Sequence, residues 1–114
     1  MAIDTLPSAF IATDMLGNIT HAYISKQSQH KLQYLLGQNF FRISRLLFGL
    51  DGAKQIMASW QQCVTAQIPS EINRFEHTTV HGLAEYLDWR FAVQPNIGKI
   101  IIYIRSTTES VLID

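Results

Sequence analysis

The side chains able to do chemistry in this chain of 114 residues are few and scattered. One cysteine, Cys63, and four histidines, His21, His30, His77 and His81, supply the nucleophile and metal-ligand candidates. Cys63 stands among apolar neighbours, where a buried and inert thiol is the expectation. A lone cysteine forms no intramolecular disulfide, which suits a reducing compartment. His77 and His81 stand at i and i+4, a spacing that joins two ligands on one face of a helix. Their region reads as strand and turn, so the spacing makes no metal site. Each histidine reads as a surface group or one that is hydrogen-bonded locally. There is no Gly-x-Ser-x-Gly elbow, no phosphate loop and no Gly-x-Gly-x-x-Gly. The acids have structural uses at hand: Asp14 in a turn, Asp51 as a helix cap, Glu85 and Asp88 in a strand. These residues do not ask for catalysis.

Aromatic side chains are the remaining functional resource. Tyr23, Phe41, Trp60, Phe75, Trp89 and Phe91 could line a small-molecule cavity, because such sites are mostly apolar with a few polar anchors. The plainer reading, and the one favoured here, is that they fill a solid core. If a cavity exists, Asn39, Arg42 and Arg90 are the expected anchors.

Length and charge bound what these residues can serve. A chain of this size supports one core. With 47% hydrophobic and 16% charged residues it has the composition of a folded protein. Nine Lys and Arg balance nine Asp and Glu, so no excess positive charge draws the chain to nucleic acid or an anionic membrane. No segment reaches the roughly 20 apolar residues of a membrane span, and no signal-peptide pattern opens the chain. A cytoplasmic location is the default expectation.

The elements follow from periodicity. Phe10–Thr13 and Asn18–Tyr23 are β-prone runs on either side of Asp14–Gly17, which predicts a hairpin. Leu32, Leu35 and Leu36 are spaced for one face of a short helix over Ser25–Leu36 that Gly37 can end. Asn39–Phe48 reads as a short, packed helical connector. After Gly49, Asp51 is a plausible cap for a helix striped by Ile56, Trp60 and Val64, with Met57 and Cys63 beside them. That helix must end before Pro69. Glu71–Val80 is β-prone, and His81-Gly82 is a turn. Leu87, Trp89, Phe91 and Val93 alternate with polar positions, and Pro95–Gly98 makes the next turn. Lys99–Arg105 is apolar on both faces, as a central strand would be. The expected class is α+β: an antiparallel sheet of about five strands, in the order ββ-ααα-βββ, with short helices over one face.

Several of these segments carry a family likeness. Leu6–Thr20, with its Asp-x-x-Gly turn, Leu35-Leu-Gly-Gln-Asn-Phe-Phe41, Tyr86-Leu-Asp-Trp-Arg-Phe91 and Gly98–Arg105 together resemble the PAS family of sensor domains. The resemblance covers about residues 6–109 and treats 1–114 as one domain, with 110–114 as the start of a connector to further sequence. It implies a non-catalytic sensory module of a larger, bacterial-style signalling protein, which senses, dimerises and regulates an attached output domain. That output would be a histidine kinase or a cyclic-dinucleotide enzyme. A small-molecule ligand is possible under this reading, and its identity is unknown. Haem binding in this family expects an axial histidine on the long helix, and residues 51–66 contain none. A cysteinyl-flavin sensor needs cysteine where Phe40 stands in Gly37–Arg42. The segment 23–37 is shorter than the family's usual spacing, which favours a reduced cavity. The closing Asp-x-Thr signal element keeps its threonine at Thr108 without the acid. The competing expectation is a cone-shaped α+β enzyme or hydrophobic-ligand carrier, which needs a histidine and a carboxylate on inward strand positions. His21 is its candidate.

Overall fold

The computed structural model describes residues 8–24, 33–78 and 82–107. Strands β1 (Ser8–Asp14) and β2 (Ile19–Ile24) form the opening hairpin. A 3₁₀ turn at Gln33–Leu35 leads into α1 (Phe40–Ala66), and β3 (Ser70–Thr78), β4 (Ala84–Gln94) and β5 (Lys99–Ser106) follow. Every strand pairing is antiparallel, and the spatial order is β2-β1-β5-β4-β3. The apolar β5 is therefore the central strand, as its two-faced composition predicts. This is the expected α+β class. Of the helix expected over Ser25–Leu36, only the closing 3₁₀ turn falls within the described residues.

α1 is two helices joined at a kink. Gly49 has φ 79° and ψ 178°, a backbone region that essentially glycine alone occupies. The helix break thus falls at Gly49, and Asp51 lies exposed beyond it within the second limb. Asn39 caps the first limb: its side-chain oxygen accepts from the N–H groups of Phe41 (3.0 Å) and Arg42 (3.1 Å). At the far end Gln67 takes a left-handed conformation (φ 59°) and its N–H bonds the Cys63 carbonyl, so the helix stops before Pro69.

The sheet's inner face carries the core. Ile100 and Ile102 on β5, Trp89 and Phe91 on β4, and Ile56 and Cys63 on α1 are all essentially inaccessible. Trp60 ties helix to sheet, its Nε1–H donating to the buried Thr13 Oγ1 across 3.2 Å. Phe41 meets the Trp60 ring edge-on at 4.9 Å and lies directly under Gly17. A Cβ on Gly17 would come within 2.7 Å of that ring, and φ there is +90°, so the turn requires glycine on two counts.

Two bulges re-aim side chains. Ala12 pairs with His21 while Thr13 pairs with Ile19, leaving Thr20 extra. In β3 the register jumps between Ile72 and Phe75, where Arg74 adopts φ 56° and donates its N–H to Asp88 Oδ1 at 2.9 Å.

The hairpin turn is organised by Asp14. Its Oδ1 accepts from the N–H groups of Leu16 and Asn18, each at 2.9 Å, and its Oδ2 from the Asn18 side chain at 3.1 Å. Desolvation pushes this carboxyl upward, but the hydrogen bonds from Asn18, Leu16 and Gly17 outweigh it and hold it below the ordinary carboxylate value. A group depressed on folding stabilises the fold above its unfolded value, near 4, and loses that contribution as pH falls through the range. Asp14→Ala is expected to cost on the order of 1 kcal/mol at neutral pH, since neutral-pH folding loses a local turn network. The difference from wild type should shrink toward pH 3. Urea denaturation at both pH values checks this, and an unchanged difference would refute the assignment.

Candidate functional site

The kink directs the first limb of α1 across the inner face of the sheet at the open end of β4 and β5. Between them lies a partly open cavity of about 230 Å³. Its walls are Phe40, Ile43, Leu47 and Phe48 from α1, with Leu87 and Trp89 from β4. Ala9, Ile11 and Ile104 form the floor, and Leu35 of the 3₁₀ turn closes one side. An engineered cavity of about 150 Å³ with similar lining admits benzene, so a ring with a short substituent fits here.

Few polar groups reach this cavity. Ser44 and Ser106 are buried at its wall, and the Ser44 hydroxyl donates to the Phe40 carbonyl at 2.9 Å. Trp89 is 1% exposed, and its Nε1–H has no acceptor among the described residues. Glu85 supplies the charge. It pairs across the strands with His77, and His77 Nε2 lies 3.3 Å from Glu85 Oε1. Phe48, beside the kink, sets its ring edge-on to His77 at 4.9 Å, to Phe75 at 5.5 Å and to Trp89 at 5.4 Å.

The candidate residues from the sequence divide between three environments. Trp89 lines the cavity with its side chain buried. Trp60, Phe75 and Phe91 belong with it to the buried core cluster, Phe41 packs against that cluster half-buried, and Phe91 stacks on Trp89 with ring planes 9° apart. Asn39 is occupied as the helix cap. Arg42 is exposed on α1, and Arg90 is exposed on the outer sheet face, where Glu71 Oε2 lies 3.9 Å away. Tyr23 borders the cavity but is 48% exposed and paired with Phe10, which faces outward. Thr108 lies outside the described residues.

His21 is exposed, opposite Ala12 on the outer side of the bulged hairpin. The inward histidine and carboxylate are instead His77 and Glu85. Extending the alternation of Leu87, Trp89, Phe91 and Val93 one step backward reaches Glu85, so that half of the pair had a sequence signal. Cys63 is fully buried, and desolvation raises its pKa, which disfavours the reactive thiolate. Among the described residues no group of three or more His, Cys, Asp or Glu could hold a metal, and no helix is long and apolar enough to cross a membrane.

The outer face of the sheet bears a transverse row. Cross-strand registers place Tyr23, Phe10, Tyr103, Arg90 and Glu71 side by side over all five strands. Phe10 and Tyr103 meet edge-on at 5.3 Å. The row runs from aromatic to charged.

No family model matches the sequence, and no curated protein matches it. Solved structures do match the fold. The PAS-B domain of Drosophila melanogaster Cycle with bound ethylene glycol aligns with a TM-score of 0.54 at 11% identity, covering 87% of this chain and 97% of that one. A tryptophan-to-alanine variant of the same domain with bound glycerol aligns with a TM-score of 0.53 at 12% identity, covering 86% and 96%. The class of protein the architecture defines is therefore the PAS fold. Both neighbours are insect structures, so the likeness carries the fold and not the bacterial setting that the sequence resemblance implied.

Proposed function

We propose that the chain is a non-catalytic sensory and regulatory domain of PAS type. Its cavity takes a small, mostly apolar molecule, its outer sheet face pairs with a second copy, and occupancy biases an attached output domain of the histidine-kinase or cyclic-dinucleotide type. The observation that carries this reading is the apolar cavity under the kinked helix. Phe48 is both a cavity wall and the last residue before Gly49, so a ligand that displaces it acts on the one point where α1 is already broken. A ligand shifts such an equilibrium only by its differential affinity for the two arrangements. The Cycle PAS-B neighbours, each solved with a small polyol bound, support a small-molecule role without naming a ligand here.

The row of exposed aromatics supports pairing of two copies. Tyr23 and Tyr103 are about half exposed, and tyrosine is favoured at interface centres.

The His77–Glu85 pair beside an apolar cavity favours a second reading, an enzyme or carrier with an inward base. Steady turnover of a small hydrophobic substrate, lost in His77→Ala, would establish it.

Native mass spectrometry and thermal unfolding with toluene or indole test the cavity. Saturation at 100 times Kd adds about 2.7 kcal/mol, so a clear rise in the midpoint is expected. Ala9→Phe, which fills the floor, should abolish that rise while leaving the unliganded midpoint within a few degrees. Binding that survives Ala9→Phe would place the ligand elsewhere. Sedimentation velocity tests the pairing: wild type is expected as a dimer at tens of micromolar and Tyr103→Glu as a monomer, and a monomeric wild type would remove the dimer from the proposal.

A further inference from the structure

The charge of the cavity is one-sided, and this deepens the reading of the cavity as a ligand site, on which it rests. From the structure we infer that the cavity selects small organic amines, binding a protonated amine on Glu85 with its apolar body against Phe48 and Trp89. Glu85 is the sole charged side chain among the described residues that line the cavity. α1 contributes Phe40, Ile43, Ser44, Leu47 and Phe48 there, and β1 contributes Ala9 and Ile11. No cation faces Glu85 from either. Among the described residues its charged partner is His77, at Oε1, which leaves the second carboxylate oxygen to accept from an ammonium. Such a charge-assisted bond is among the strongest a site can offer.

The neighbouring walls suit a cation as well. Phe48 and Trp89 stand with centroids 5.4 Å apart and ring planes at 77°, which presents aromatic surface in two orientations beside the head group. A cation near such rings gains from their quadrupoles, and more so where water is excluded. An organic acid of the same skeleton would place a second negative charge beside Glu85, with no lysine or arginine among the described residues that line the cavity to offset it. Like charges brought together at a binding site reject the wrong partner.

Three probes with one skeleton separate the cases: 2-phenylethylamine, 2-phenylethanol and phenylacetate, each titrated into the full chain by calorimetry at neutral pH. The amine is expected to bind at least tenfold more tightly than phenylacetate, with the alcohol between. Glu85→Gln should bring the amine to the affinity of the alcohol while leaving the alcohol within about twofold, which also shows that the variant is folded. Equal affinities for amine and acid in the wild-type chain, or an amine preference that survives Glu85→Gln, would overturn the inference and leave the cavity reading standing. Binding of none of the three would overturn both.

Discussion

The rest of this structure depends on how the hairpin turn is sewn to the start of the helix. The Phe40 N–H donates to the Gly17 carbonyl at 2.8 Å, the Ile19 N–H to the Gln38 carbonyl at 2.8 Å, and the Gly37 N–H to the Ile19 carbonyl at 2.8 Å. These bonds join residues about twenty positions apart and satisfy backbone groups that a turn and a helix start would otherwise leave open. They also fix where α1 begins. With Phe40 held there, Phe41 comes under Gly17, Trp60 reaches Thr13, and the helix is committed to cross the inner face of the sheet. Two of the four segments that resemble the PAS family, Leu6–Thr20 with its Asp14–Gly17 turn and Leu35–Phe41, meet at this junction.

From that fixed start the helix can either run straight or break. A straight continuation would carry the apolar residues of the first limb off the sheet, because one stripe cannot serve two directions. The break at Gly49 lets Phe48 turn into the cluster of Phe75, His77 and Trp89, while Ile56, Trp60 and Cys63 serve the core in the second limb. The break has a visible cost. Leu46, Leu47 and Leu50 around the kink are more than half exposed. Gly52 packs so closely that a Cβ there would lie 3.0 Å from the Phe75 ring. The helix is thus clamped on the far side of the kink by Gly52 against Phe75 and on the near side by its cap, Phe40, Phe41 and Phe48, and the cavity lies beneath the near limb.

Much of this was legible in the sequence. The strands, their antiparallel order and the central place of β5 follow from alternation and turn chemistry, since a period of two is preserved along β4 and β5. Legibility failed where the period is broken. Counting from the inward Ile19, His21 and Tyr23 share its parity and read as inward, but the extra Thr20 sends both to the outer face. Counting from the inward Ile72, His77 has the opposite parity, and the Asn73-Arg74 bulge turns it inward. A bulge adds one residue without any composition that marks it reliably. The same defect therefore left His21 as the sequence's candidate and concealed His77. Asp51 was misplaced for a different reason: its type suits a cap, but the positive φ that breaks the helix demands glycine, and Gly49 was two residues away.

These errors bear on how function is assigned. The fold alone hosts many roles, and the two bulges decide which chemistry the two faces of the sheet present. With regular strands, β2 would turn His21 and Tyr23 inward and β3 would turn His77 outward, leaving Glu85 on the regular β4 inward without its partner. With the bulges, His77 stands beside Glu85 at the cavity's edge, apolar β1 lies opposite, and His21 and Tyr23 turn to the outer face. One face then borders the cavity and the opposite face carries the row from aromatic to charged side chains, with β5 in both. Ile102 and Ile104 point inward from the same strand that carries Tyr103 outward. The central strand therefore belongs to both surfaces, and one backbone sets the position of the cavity floor at Ile104 and of Tyr103 on the outer row.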